Sequence, residues 1–211
     1  IMSLERNDSR GGLDIYYSKR FSAEENKYSQ PKNPGKIIND KFRQVSPFLA
    51  YDDKTLYFAS DSGSGNLDIF FSRRLDNTWQ NWSEPKSIGS EINTEYDDTS
   101  TYLTMAGDSA YIISSDSADR RPGIYKICLP KKYRPLPYSI VKGRVLLRTG
   151  VTDSVLHEAE IHVEYSDGYE AVFYPNRQDG RYTFTVPHNQ DAVFFAGYNE
   201  LKSEKIIASS R

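Results

Sequence analysis

Apolar positions in the middle of the chain come in short runs broken by polar turns. "SPFLAY" (Ser46–Tyr51) is apolar, Asp52-Asp53-Lys54 is polar, and "TLYFAS" (Thr55–Ser60) is apolar again. The Gly/Ser/Asn-rich "DSGSGN" (Asp61–Asn66) then leads into "LDIFFSRR" (Leu67–Arg74). Short runs rich in aromatic and β-branched residues, bounded by turn formers, predict strands joined by hairpin-like connections. A polar loop with Trp79 and Trp82 follows, then "PKSI" (Pro85–Ile88), where the proline suits an edge. The pattern predicts four short strands over this stretch.

The same text recurs. "DIYYSKRFSAEENKYSQPKNPGKIIN" (Asp14–Asn39) and "DIFFSRRLDNTWQNWSEPKSIGSEIN" (Asp68–Asn93) align without a gap, 54 residues apart. In that register "GGLDIYYS" (Gly11–Ser18) meets "GNLDIFFS" (Gly65–Ser72), "TLYFAS" meets "SAYIIS" (Ser109–Ser114), and Thr55–Phe58 meets Ile1–Leu4. A third copy shortens to "PGIYKI" (Pro122–Ile127), with a one-residue slip. A four-stranded unit repeating every 40 to 50 residues or so is the pattern of propeller blades. Such a unit has two apolar faces and buries them by stacking on its neighbours. Residues 1–128 hold the end of one unit, one whole unit and most of another, whereas a ring takes about 4 to 8. The expectation is a C-terminal piece of a longer protein with blades upstream; pairing with another copy of the chain is the alternative.

The pattern changes after Cys128. "LPKKYRPLPYS" (129–139) has three closely spaced prolines and reads as an extended connector. From Ile140 the strands are differently spaced. "AEIHVEY" alternates, placing Ile161, Val163 and Tyr165 on one face, and "DGRYTFTVP" does the same for Tyr182, Phe184 and Val186. Asp167-Gly168 and Asp179-Gly180 are hairpin signals. The fold expected is all-β: a partial β-propeller with four-stranded blades on a 54-residue repeat (1–128), a Pro-rich linker (129–139) and a small transthyretin- or immunoglobulin-like β-sandwich (140–211).

Composition narrows the function classes. The 27 Lys and Arg nearly balance 29 Asp and Glu, which argues against nucleic acid as a partner, since such proteins carry a basic excess or stripe. No apolar run reaches the length of a transmembrane segment. The single cysteine, Cys128, excludes an internal disulfide and reads as a buried, inert thiol.

Motifs for chemistry are sparse. His157, His162 and His188 form no metal-binding pair, and in a strand His157 and His162, five apart, would face opposite sides. The loop Asp61–Asn66 lacks the following helix and Lys-Ser/Thr pair of a phosphate loop. Acidic clusters at Asp52-Asp53, at Glu95 with Asp97-Asp98, and at Asp116 with Asp119 match no calcium-loop spacing and fall at turns, where Asp caps locally. There is no Gly-x-Ser-x-Gly elbow. The expectation is no enzyme, no catalytic residue, no cofactor and no metal. Trp79 and Trp82, with Tyr28 at the repeat position of Trp82, either pin their loops to the blade or form a ligand platform.

Two resemblances add to this reading. The text "SPFLAYDDKTLYFASDSGSGNLDIFFSRR", continuing through "NWSEPKSIGSEINT", resembles the WD-like, TolB-type propeller repeats of Bacteroidetes envelope proteins. Their usual turn Pro-Asp-Gly-Lys is here Tyr51-Asp52-Asp53-Lys54, so the glycine is absent, while the third copy has Ala106-Gly107-Asp108. The later "VKGRVLLRTG", "AEIHVEYSDG" and "DGRYTFTVP" resemble the carboxypeptidase regulatory-like sandwich. In this order the two resemble the OmpA-family, peptidoglycan-associated proteins, of which the PorE-type component of type IX secretion is one class. The resemblance implies a non-enzymatic scaffold in the periplasm, associated with the outer membrane as a lipoprotein anchored outside this chain. Its partners would be other envelope proteins, and peptidoglycan through a domain outside this chain. The alternative is a glycan-binding surface module or the accessory part of a glycan-active enzyme.

Overall fold

The protein is all-β, 2% helix and 50% strand, built from several small antiparallel sheets that close into no barrel among the described residues. The computed structural model describes residues 1–22, 27–63, 65–115 and 121–210. The chain divides into a first unit of Ile1–Phe21 with Tyr28–Pro135 and a second whose body is Leu136–Arg211.

In the first unit β1 (Met2–Leu4) pairs with β2 (Asp14–Tyr16), and β3 (Arg20–Ser22) with β4 (Lys27–Tyr28). The strands β5 (Gln44–Leu49), β6 (Thr55–Ser60), β7 (Asp68–Arg73) and β8 (Lys86–Ser87) form a four-stranded antiparallel sheet in that order. The strands β9 (Asp98–Leu103), β10 (Ser109–Ser114) and β11 (Gly123–Cys128) form a third sheet, with β10 central.

The sheets stack in series. Leu56 and Phe58 of β6 pack with Ile15 and Ile38 of the first repeat and with Trp82. The opposite face of the same sheet, Tyr57, Ile69 and Phe71, packs on Leu103, Ala110 and Ile112 of the third. Alternation explains why β6 is buried at all six positions: its two faces serve two different neighbours. Complete burial of an aliphatic or aromatic side chain stabilises by about 1.5–3 kcal/mol.

Two local features recur with the repeat. Ser46 (φ 51°) and Ser100 (φ 54°) both lie where the register shifts, a β-bulge near the start of the edge strands β5 and β9. The bulge also accommodates Pro47 within β5, since a bulged residue need not donate to the ladder. At the following turn Asp53 (φ 53°) takes the left-handed conformation that Gly107 (φ 69°) takes in the next copy. Arg74 holds it there, donating to the Asp53 carbonyl at 2.7 Å and to its Oδ2 at 2.8 Å. The missing glycine is thus offset by an arginine 21 residues on.

Stretch 129–139, expected as a connector, is divided between the units. Leu129 (0% exposed) and Tyr133 lie in the core of the first, around the short 3₁₀ turn Lys131–Tyr133. Tyr57 donates its hydroxyl to the Tyr133 carbonyl. Tyr138 and Ser139 already belong to a strand of the second unit. Cys128 also corrects expectation: it is exposed. It pairs with Ser109, on the opposite face of β11 from Ile127, which packs inward.

The second unit runs β12 (Tyr138–Arg144), β13 (Leu146–Thr149), β14 (Thr152–Val155), β15 (Glu160–Tyr165), β16 (Glu170–Phe173), β17 (Arg181–Pro187), β18 (Gln190–Tyr198), β19 (Leu201–Lys202) and β20 (Ile206–Ser210). Strands β16, β15, β18 and β19 form one sheet in that order, with β20 also on β18; β12 pairs with β17, and β13 with β14. Ile161, Val163 and Tyr165 meet Phe184, Val186 and Phe194 in one core. Between β12 and β13 the amide of Val145 donates to the Gly180 carbonyl, and β13 and β14 form a hairpin.

Candidate functional site

The most repeated residues are the natural place to look for a site, and each is engaged in the backbone. Asn93 Oδ1 accepts from the Ile69 amide at 2.9 Å, and its Nδ2 donates to the Ile69 carbonyl at 3.0 Å. Asn39 does the same for Ile15 at 2.9 and 2.8 Å. Each asparagine stands in for a strand partner at the start of β2 or β7. It is reached through an equivalent turn, with the amides of Asn39 and Asn93 donating to the carbonyls of Gly35 and Gly89. Both glycines have positive φ, 101° and 82°, which suits a residue without a Cβ. Ser72 donates to the Ser83 carbonyl at 2.6 Å, and Ser18 donates likewise to Ser29. Ser83 Oγ accepts from the Arg73 amide at 2.9 Å, and Ser29 Oγ from Lys19 at 3.0 Å. Buried backbone groups need partners, and these side chains supply them where the short outer strands do not. The recurrence was visible in the sequence; the roles, which depend on cross-strand register, were not.

Trp79 and Trp82 both pack against neighbouring residues. Trp82 is 3% exposed and donates its indole N–H to the Trp79 carbonyl at 2.9 Å. Trp79 stacks on Tyr17 at 4.8 Å, takes the Arg74 guanidinium at 4.7 Å and has φ 66°. These contacts fasten the 75–83 loop against Tyr17 and Arg74, with Trp79 itself half-buried. Tyr28, at the repeat position of Trp82, is 51% exposed. The two positions are therefore not equivalent in packing.

Acidic residues serve turns, with one contrast between copies. Asp52 accepts from the amides of Lys54 (3.0 Å) and Thr55 (2.8 Å) and from the Thr55 hydroxyl (2.6 Å). Asp14 accepts from the amides of Arg10 (2.9 Å) and Gly11 (3.2 Å). Its counterpart Asp68 is half-buried, and its pKa is raised, first by partial burial and then by the nearby Asp98. Asp98 is fully buried; Thr94 donates to its Oδ2 through both amide and hydroxyl, and its Oδ1 has no partner. Asp97 accepts from the Leu67 amide at 2.8 Å. Asp116 and Asp119 lie outside the described residues. No group of three or more His, Cys, Asp or Glu gathers as a metal site among the described residues.

The histidines are dispersed. His157 lies in a connection rather than a strand, so the facing argument does not apply to it. His162 stacks on Phe195 at 4.9 Å, with Glu160 Oε2 3.1 Å from its Nε2, on the outer face of the second unit. His188 donates its amide to the Pro137 carbonyl at 2.8 Å. Beside the β18–β19 hairpin an apolar groove of about 170 Å³ runs between Leu147, Leu156, Tyr198 and Leu201, smaller than the roughly 300–1,000 Å³ of typical ligand sites. No helix among the described residues is long and apolar enough to cross a membrane.

No protein-family model matches the chain. No curated protein matches it either.

Proposed function

We propose that this chain is a non-enzymatic interaction module of a bacterial envelope protein. Its first unit would be successive blades of a β-propeller, and its second a regulatory-like sandwich. In this reading the protein belongs with the OmpA-family, peptidoglycan-associated proteins, lies in the periplasm at the outer membrane, and docks other envelope proteins. Peptidoglycan is held by a domain outside residues 1–211.

One observation carries the reading: the repeated polar residues are engaged in the backbone of their own repeat, Asn39 with Ile15 and Asn93 with Ile69. A repeat conserved for chemistry would direct its recurrent polar groups at a shared cleft. One conserved for shape directs them inward, as here, and leaves the surface to vary. The buried Trp82 further disfavours the glycan-binding alternative. The test is chemical crosslinking of the native protein in intact cells, followed by purification and mass spectrometry. Crosslinks from both units to other envelope proteins are expected. Recovery of the protein uncrosslinked, together with polysaccharide binding lost on Trp79→Ala, would replace this reading with the glycan module.

A further inference from the structure

The sheet β5–β8 meets its two neighbours at seams that occupy equivalent places in the repeat. At the first seam the amide of Gln44 donates to the Leu13 carbonyl at 2.7 Å; at the second the amide of Asp98 donates to the Leu67 carbonyl at 2.6 Å. The 54-residue register equates Gln44 with Asp98 and Asp14 with Asp68. It also turns Arg10, Lys41 and Arg43 into Ser64, Glu95 and Asp97, and Asp40 and Asp61 into Thr94 and Ser115. The first seam thus sets the bases Arg10, Lys41 and Arg43 against the acids Asp14, Asp40 and Asp61. The second sets the acids Asp68, Glu95, Asp97 and Asp98 against no base at the corresponding positions.

The acids of the first seam are matched. Asp14 accepts from the amides of Arg10 and Gly11 and from Asn33 Nδ2 at 3.4 Å, Asp61 from Arg43 Nε at 2.8 Å, and Asp40 from Gln44 Nε2 at 2.6 Å. At the second seam no hydrogen bond reaches the Asp68 carboxylate among the described residues, and the charge of Asp98 acts on it. Asp98 is 0% exposed, and Thr94 holds only its Oδ2. Ser114 lies directly across the β9–β10 pairing from Asp98 and is 3% exposed. Asp98 Oδ1 and Ser114 Oγ are both buried without a partner among the described residues. Opposed residues of an antiparallel pair share a face, so the hydroxyl points where the carboxylate does. Gln44 Oε1 is also unpartnered at the first seam, but it is neutral. A buried charge is paired or coordinates a metal.

We propose that Asp98 Oδ1, Ser114 Oγ and the Asp68 carboxylate bind a calcium ion at this second seam, with water completing the shell. Donors that are all oxygen select a hard cation. Calcium suits donors from two separate sheets better than magnesium, which demands a near-ideal octahedron. Asp97 and Glu95 add negative charge from outside the shell; Asp97 Oδ1 is engaged with the Leu67 amide at 2.8 Å. Only two carboxylates coordinate directly, so the site belongs with the weak ones, with a dissociation constant of about 10⁻⁴–10⁻³ M. The ion ties the start of β7 to β9 and β10. The first seam, with Gln44 in place of Asp98, binds none.

The test is calorimetric titration of CaCl₂ into protein stripped with EDTA and desalted, with urea unfolding followed by tryptophan fluorescence as a second readout. One calcium ion per chain is expected. At about 10 mM calcium, some 10 to 100 times the dissociation constant, the folded state should gain about 10- to 100-fold over NaCl of equal ionic strength. MgCl₂ should give a clearly smaller gain. Asp98→Asn and Ser114→Ala should each lose most of it. Ser114→Ala changes no charge, so it separates coordination from a general attraction of cations to acids, and it decides the matter if Asp98→Asn does not fold. In EDTA Asp68→Asn should be the more stable protein, because the repulsion from Asp98 is gone, and calcium should reverse that order. Three results would each overturn the site: no heat with equal midpoints in CaCl₂ and NaCl, an equal response to MgCl₂, or a calcium response unchanged in Ser114→Ala.

Discussion

Replacing Asn93 by alanine tests whether the repeat is architecture. The Asn93 side chain is nearly buried, accepts from the Ile69 amide and donates to the Ile69 carbonyl and to Ser87 Oγ at 3.0 Å. The Ile69 carbonyl also accepts from the Ile88 amide at 3.1 Å, so it keeps a partner after truncation. The Ile69 amide loses its acceptor in a residue that is 0% exposed. Orphaning a buried donor costs about 1–3 kcal/mol, and losing an ordinary bond about 1 more. The variant should therefore lose about 2–4 kcal/mol from the first unit. Urea unfolding followed by tryptophan fluorescence is the assay, because Trp79 and Trp82 both lie in that unit. Asn39→Ala, in the equivalent place, should cost a similar amount. Here Pro34 replaces Ile88 in the register and has no amide to offer, so the loss should be no smaller. If either variant stays within about 0.5 kcal/mol of the parent, the range of an ordinary surface change, the structural explanation of the repeat fails.

Trp82→Ala should cost about 3–5 kcal/mol, as for other buried aromatics, and calorimetry against soluble polysaccharides should show no signal in parent or variant. Gly89→Ala should cost about 1–3 kcal/mol, since φ is 82° and a new Cβ would lie 2.8 Å from the Tyr133 hydroxyl oxygen; an unchanged urea midpoint would contradict it. Asp68 binds its proton more tightly in the fold than in the unfolded chain. Its contribution is therefore fully present below the ordinary carboxylate pKa of about 4 and is lost as pH rises through the raised value. Asp68→Asn should flatten that slope and be the more stable form at pH 7, read from urea midpoints across the acid range.

The strand pattern and the 54-residue register could be read in the sequence, because period-2 alternation and turn formers are local signals. What stayed hidden depends on contacts across strands. The Ser46 and Ser100 bulges have no local signature, since serine seldom takes positive φ. Prolines marked 129–139 as extended, but Leu129 and Tyr133 are captured by the core of the first unit. Cys128 was placed inside by residue type; its exposure follows from the outer face of β11, which the repeat register identifies only once pairing is known. The Trp79–Trp82 pair was ambiguous for the same reason: an aromatic cluster in a loop reads alike whether it faces solvent or, as here, Tyr17 and Arg74.

Whether the module docks proteins at the cell wall is tested most directly by crosslinking in intact cells, then isolating detergent-washed sacculi and measuring how much of the native protein sediments with them. A scaffold of this kind should sediment with the sacculi, be released by a muramidase, and carry crosslinks from the surfaces of residues 1–210 to neighbouring envelope proteins. A protein that remains wholly in the supernatant, with no crosslinked neighbour, would contradict the assignment.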